Sequence, residues 1–219
     1  MAFPANSDVP SLRERKRQHT RKALIDSAVD LCLRRGYDST TVEQIAEAAD
    51  VSPRTFSRYF ASKDAVFIAV LDDLGDEIAA ALRAQPPGLG PMEALRAAHV
   101  TVLTRVAKVP LPRLSAERVA LILRIINSSP ALRQAAIDYR TPGVLEVLAE
   151  RMGVAVDNPQ LELAVALFST TIVAACTELV EAGDAELGPS AILERLEDTL
   201  GHVATFASQL NTQPSLGSS

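Results

Sequence analysis

Between Thr40 and Lys63 the chain reads TTVEQIAEAADVSPRTFSRYFASK, which places two helix starts close together. Thr40 with Glu43 three residues on has the form of a capping box. Ser52 followed by Pro53 has the form of an N-cap and a first helical residue that needs no free N–H. Helices this short do not persist alone, because the first turn is costly to nucleate, so each must be held against a neighbour. Only Asp50 and Val51 separate them. The expectation is a helix over about Val42–Ala49, a tight turn, and a helix over about Pro53–Phe60: a helix-turn-helix.

Residue type divides the two helices into an inner and an outer side. Val42, Ile45 and Ala49 are expected inside, with Phe56 and Phe60 as core. Ser52, Arg54, Thr55, Ser57 and Arg58 remain for the outer side of the second helix. A helix of that width enters the major groove of B-DNA, where Arg pairs with guanine O6 and N7 or with phosphate. Isolated surface charges mostly do no more than solvate a helix; within this spacing they read as a contact face.

The same stretch resembles the DNA-binding motif of the TetR (tetracycline-repressor-like) family. The matching residues are Gly36-Tyr37, Thr40-Thr41-Val42, Ile45-Ala46, Ala49, Val51-Ser52, Thr55-Phe56, Tyr59-Phe60 and Ser62-Lys63, within roughly Leu24 to Phe67. The resemblance implies that Tyr59 and Lys63 clamp phosphate, together with Thr41 and the N-terminus of the second helix. The residues expected at DNA are therefore Thr40, Thr41, Ser52, Pro53, Arg54, Thr55, Ser57, Arg58, Tyr59 and Lys63. Two positions depart from the family pattern. Asp50 stands where Gly is usual, and Asp tolerates a left-handed turn better than most residues. Ser57 stands where an aromatic is common.

The chain around this motif reads as helical throughout. Ala and Leu are abundant, Trp is absent, and no segment alternates as a strand would. The fold class expected is all-α: an N-terminal three-helix helix-turn-helix domain over residues 11–64, then a helical ligand-binding and dimerisation domain over 65–210. Residues 1–10 and 211–219 read as a disordered leader and tail. Helix one is expected over Ser11–Arg35, with Leu24, Ala28 and Leu31 on one stripe and Gly36 ending it. Ser62 should cap a long fourth helix through Phe67, Leu71, Leu74, Ile78 and Leu82. After the Pro/Gly run at 85–91, helices are expected near 92–108, 115–128, 130–140, 143–152, 158–182 and 190–210.

Charge is uneven along the chain. The net charge is −5, but residues 1–64 carry +2 and the remainder −7. Arg13, Arg15, Lys16, Arg17, Arg21 and Lys22, broken only by Glu14, open helix one. Arg13, Arg15, Lys16 and Arg17 form a possible arm for phosphates or the minor groove.

The second domain suggests binding and assembly. Leu193, Leu196, Leu200 and Val203 recur at seam spacing, and Leu161, Val165 and Leu179 lie on the preceding long helix. The family resemblance implies that these two helices form a four-helix interface with a second subunit, which would space two reading heads about one DNA turn apart for a near-palindromic operator. The apolar stripes of the middle helices are ordinary core unless they open into an effector pocket, as the family implies. Pocket candidates are Leu103, Val106, Ile122, Ile126, Leu145, Leu148, Phe168 and Ile172. Ala116–Ile122 and Ser129–Arg133 resemble the subgroup with an acyl-CoA-type C-terminal domain, which implies a small hydrophobic effector such as an acyl-CoA or fatty acid.

Other classes find less support. His19, His99 and His202 lack metal-ligand spacing and read as surface or ordinary helix residues, so no metal or cofactor is expected. No nucleophile–base arrangement suggests an enzyme. The apolar run Ala164–Cys176 is shorter than a bilayer span, and the first ten residues do not have the form of a signal peptide. Cys32 and Cys176 sit in helical apolar patterns, which fits a reducing bacterial cytoplasm, with nucleoid association when bound to DNA. The reading is a homodimeric repressor released by an effector, with the fourth helix as lever. An activator or a ligand-independent regulator is the alternative, and a helical lipid- or acyl-CoA-binding protein is the rival from another class.

Overall fold

Ser11 sets the start of the first helix, its hydroxyl accepting the Glu14 N–H at 3.2 Å. From there a computed structural model describes residues 11–111, 114–181 and 187–210. The expected leader and tail lie outside the described residues. Eleven α-helices follow in order among the described residues, with no strand beyond an isolated Leu111–Leu114 bridge. The chain divides into two compact units between Ala69 and Val70.

The first unit holds α1 (Leu12–Arg35), α2 (Val42–Ala48), α3 (Pro53–Tyr59) and α4 (Lys63–Ile68). Leu24, Ile25, Ala28, Val29 and Cys32 line the buried side of α1. Ile45 and Ala46 from α2, Phe56 and Phe60 around α3, and Val66 and Phe67 from α4 are buried in the same unit. Burying an aromatic such as Phe56 contributes about 1.5–3 kcal/mol, which is what holds a helix of two turns in place.

Gly36 ends α1 at φ 83 and ψ 160, and its N–H bonds the Cys32 carbonyl. That backbone region is essentially restricted to glycine. No neighbouring atom would meet an added Cβ, so any penalty there is purely conformational. Gly36→Ala is expected to destabilise this unit by about 1–3 kcal/mol. A thermal midpoint equal to that of the parent chain would contradict this.

The first capping box lies one residue later than the sequence suggests. Thr41, not Thr40, is the N-cap of α2: Gln44 N–H bonds its hydroxyl at 3.3 Å, and the Gln44 side chain accepts the Thr41 N–H at 3.1 Å. Thr40 is buried instead, donating to the Gly36 carbonyl at 2.9 Å and lying 3.4 Å from the Cys32 sulfur. Two adjacent threonines both suit a cap, and tertiary burial decides between them.

The second unit holds α5 (Leu71–Arg83), α6 (Pro91–Lys108), α7 (Ala116–Asn127), α8 (Pro130–Asp138), α9 (Pro142–Met152), α10 (Pro159–Glu181) and α11 (Pro189–Leu210). The expected long fourth helix is thus two helices, α4 and α5. The apolar stripe continues in register across the break at Ala69–Val70, so periodicity alone cannot reveal it. Asp72 and Asp73 in the first turn of α5 are the available signal, since acidic residues complement a helix N-terminus.

Residues Leu161, Val165 and Leu179 of α10 and Leu196 of α11 are all buried in the protomer's own core. The sequence pattern points to them as dimer contacts, whereas in the structure these stripes close the protomer's own core. Leu193 and Leu200 also pack against that core, half-buried. The opposite side of α10 exposes Leu163 at 67 % and Leu167 at 41 %. Helix α10, 23 residues long, is also apolar enough by length and composition to cross a bilayer, whereas the run Ala164–Cys176 alone is too short. Its apolarity has a local cause in the core that one side of it closes.

Candidate nucleic-acid interface

Helix α3 is built to present one side outward. Ser52 caps it by accepting the Thr55 N–H at 3.1 Å, and Pro53 occupies the first helical position. Phe56 turns inward at 1 % exposure and packs on Phe60, ring centroids 5.8 Å apart. Inward anchoring of one side leaves Ser52, Pro53, Arg54, Ser57 and Arg58 exposed, with Thr55 and Tyr59 half-buried at the edges. The turn before the helix passes through Asp50 at φ 55, the left-handed conformation that the sequence requires at this position.

The side chains on this face are only lightly engaged. The Ser57 hydroxyl donates to the Pro53 carbonyl at 3.1 Å, which leaves its lone pairs as acceptors. The Arg58 guanidinium lies 5.4 Å from the Tyr59 ring centroid, a cation–π contact that steadies both without burying the charge. Thr41, at the N-terminus of α2, is exposed; Thr40 is not, and its buried hydroxyl has no route to DNA.

Lys63 has a structural task that the sequence does not announce. Its Nζ donates to the Tyr37 carbonyl at 2.9 Å and stands 3.9 Å from the Tyr37 ring centroid. Tyr37 in turn donates its hydroxyl to Asp64 and meets the Phe67 ring edge-on at 5.2 Å. Burial and the Asp64 carboxylate raise the Tyr37 pKa well above its ordinary value, so it stays a phenol. Lys63 thereby ties the turn after α1 to the start of α4, and two of its three donors remain for another acceptor.

The basic run at the chain's start lies within α1. Arg13, Arg15, Lys16 and Arg17 are exposed in its first turns, and Arg13, Lys16 and Arg17 share a face by their spacing. Arg17 meets Glu14 at 3.9 Å across the surface, and Arg21 stacks over the Phe60 ring at 5.4 Å. Cations at a helix N-terminus oppose the macrodipole. Their placement there has no rationale in the stability of α1.

A cavity of about 170 Å³ opens within the second unit. Leu103, Ile122, Ile126, Leu145, Phe168 and Ile172 line it, as the sequence suggests. Val106 and Leu148, named with them, are ordinary core outside the lining. Periodicity marks which side of a helix is apolar, but cannot tell a filled core position from one facing a void.

The sequence reading also misses the polar members of the lining, above all His99. This residue is neither a surface group nor an ordinary helix position. Its ring packs 4.6 Å from that of Phe168, and Nδ1 lies 2.8 Å from the Leu95 carbonyl. Burial lowers its pKa to about 4, with the Leu95 hydrogen bond opposing part of that shift. The unfolded chain therefore takes up a proton below about pH 6.5 that the folded chain refuses until near pH 4, and stability falls as pH drops through that window. A nuclear magnetic resonance titration of the His99 ring should show no protonation above pH 5. An inflection near 6.5 would contradict the burial argument.

Comparison with known proteins agrees with this arrangement. Residues 24–70 match the model of bacterial regulatory proteins of the tetR family. The transcriptional regulator TcmR of Streptomyces glaucescens is 37 % identical over 155 residues, covering 68 % of this chain and 67 % of TcmR. The chain belongs to the TetR family.

Further likenesses are narrower. RutR of Escherichia coli K12 is 37 % identical over 84 residues, 38 % of this chain and 40 % of RutR. A TetR regulator from Rhodococcus sp. RHA1 shares the fold at TM-score 0.55 and 15 % identity, covering 84 % of this chain and 97 % of its own. Thermus thermophilus FadR, a TetR-family repressor solved with lauroyl-CoA, does so at TM-score 0.53 and 21 % identity, covering 91 % and 99 %. Members of the TetR family are DNA-binding transcription factors, typically repressors, and not enzymes. They bind operator DNA as homodimers and respond to small molecules.

Proposed function

We propose that this chain is a cytoplasmic homodimeric repressor that reads a near-palindromic operator with α3 and leaves it when a small apolar effector fills the cavity of the second unit. The observation that carries the reading is the division of α3 into a buried Phe56 and an exposed Arg54, Ser57 and Arg58. Arg54 and Arg58 supply base or phosphate contacts, Ser52, Thr55 and Ser57 short hydroxyls, and Pro53 backbone approach. Thr41, Tyr59 and Lys63 hold phosphates on either side. The early basic residues of α1 add sequence-independent affinity, which gives their anti-dipole placement a purpose.

Assembly is proposed through the exposed side of α10 and the outer end of α11. Leu163 and Leu167 face outward on α10, and Phe206 and Leu210 stand 63 % and 85 % exposed on α11. Val203, half-buried, belongs to the same end. None of the α11 residues beyond Leu196 is buried. A helix end with so little tertiary packing is marginal in water, so a partner surface gives it a reason to form.

The effector reading rests on the cavity, whose walls accept the apolar body of a ligand. The acyl chain of a fatty acid or acyl-CoA is one such body, and Thermus thermophilus FadR, which shares the fold, is known in complex with lauroyl-CoA. By linkage, an effector that favours a low-affinity conformation weakens operator binding through a coupling of about 1–3 kcal/mol, roughly 5- to 150-fold. Selection of bound genomic fragments with the purified full chain, followed by footprinting, tests the core of the proposal. Recovery of a two-fold related site is expected; no enrichment over random fragments would sink it.

A further inference from the structure

The cavity lining contains no Lys, Arg, Asp or Glu. A ligand's charged head buried there would find no counter-ion, and an unpaired charge in an apolar site is strongly disfavoured. The part of the ligand that the cavity takes must be neutral. What polar groups the lining offers then decides its chemistry.

His99 offers an acceptor. A carbonyl cannot donate, so the 2.8 Å contact with Leu95 requires the proton on Nδ1 and leaves Nε2 with a bare lone pair. Nε2 has no hydrogen-bond partner among the described residues. Ser169 is another open group, as is Thr141, whose hydroxyl makes no cap bond at the start of α9. Thr170, Thr171 and Thr177 on the same helix each return their hydroxyl to the carbonyl four residues earlier, at 2.9, 2.8 and 2.9 Å. Ser169 lines the cavity beside Phe168 and makes no such bond among the described residues. Tyr139, by contrast, already donates to Asp72.

We infer that the ligand of this cavity is a neutral apolar molecule bearing a hydroxyl, which donates to His99 Nε2 and can accept from Ser169. This rests on the effector reading above and narrows it. A carboxylate has no proton to give and brings an uncompensated charge. An ether or hydrocarbon of the same shape leaves Nε2 unpaired. A hydroxyl both donates and accepts, so it suits the bare His99 Nε2 and an open hydroxyl of the lining.

The test uses the full-length protein and three one-ring probes of similar shape: 4-propylphenol, 4-propylanisole and 4-propylbenzoate. An apolar cavity of about 150 Å³ takes a benzene ring, so one ring suits the space. Calorimetric titration should show the phenol binding about 3- to 10-fold tighter than the anisole, the worth of one hydrogen bond between neutral groups. The benzoate should bind at least 10-fold more weakly than the phenol. His99→Leu should remove the preference for phenol over anisole while anisole still binds, and the wild-type series alone stays decisive if that variant misfolds. Equal affinities for phenol and anisole, a preference for benzoate, or no binding of any probe would overturn the inference. Titrating the phenol into a preformed operator complex separates the two claims. Phenol binding with the expected preference but no release of DNA would sink the effector reading and leave the ligand chemistry standing.

Discussion

Replacing Arg54 and Arg58 together by Ala is expected to weaken operator binding by about 100- to 1,000-fold near 0.15 M salt, while the dimer and its thermal midpoint stay nearly unchanged. Each well-placed Arg contact to a base edge is worth about 1–3 kcal/mol, and a two-fold complex loses four at once. The losses do not add fully, because neighbouring contacts are cooperative, so the lower figure is the safer bound. Stability should barely move, since both side chains are exposed and Arg58 gives up only its contact with the Tyr59 ring. Arg54→Ala alone should also relax base preference at one position of each half-site. Fluorescence anisotropy on labelled operator and on scrambled DNA reads both effects. Undiminished affinity of the double variant would remove α3 as the reading helix.

Lys63→Ala is expected to read differently from Arg54→Ala in the same assay, and the geometry says why. Lys63 holds the Tyr37 carbonyl and ring, so its removal loosens the link between the α1–α2 turn and α4 as well as removing a phosphate donor. A loss of binding in Lys63→Ala is therefore ambiguous where a loss in Arg54→Ala is not. The sequence presents both as basic residues in one motif. Only tertiary contacts separate a residue that supports the reading head from one that does the reading.

Much of the architecture is legible from local chemistry. Ser52-Pro53 marks the start of α3, Gly36 the end of α1, and Asp50 the left-handed turn, because each signal acts through its own backbone. Signals that depend on distant neighbours are not legible. Thr40 and Thr41 differ in nothing local, yet one is a cap and the other a buried linker to Cys32 and Gly36. The cavity shows the same limit. Apolar spacing finds Ile122 and Phe168, whereas His99 is recognised only once Leu95 and Phe168 are seen around it. Gly75 is a further case: a Cβ there would fall 2.3 Å from the Thr141 side chain, so the close approach of α5 to the start of α9 demands glycine. In the sequence it is an unexplained glycine inside a helix.

Buried leucines at helical spacing look alike whether they close a protomer or join two. Leu161, Val165, Leu179 and Leu196 are of the former kind, so truncating one of the three leucines to Ala should cost the fold itself about 2–5 kcal/mol. Leu163 and Leu167 are exposed, so Leu163→Glu with Leu167→Glu should leave helicity and the monomer fold intact. In a two-fold interface each new carboxylate meets its own copy's surface, and four charges would be desolvated without partners. The variant is expected to sediment as a monomer at micromolar concentration. A single reading head holds half the site, so operator affinity should drop by about 10³-fold toward non-specific binding. A variant that remains dimeric and binds operator normally would place the interface elsewhere. Unfolding of the variant would show instead that α10 has no free side to offer a partner.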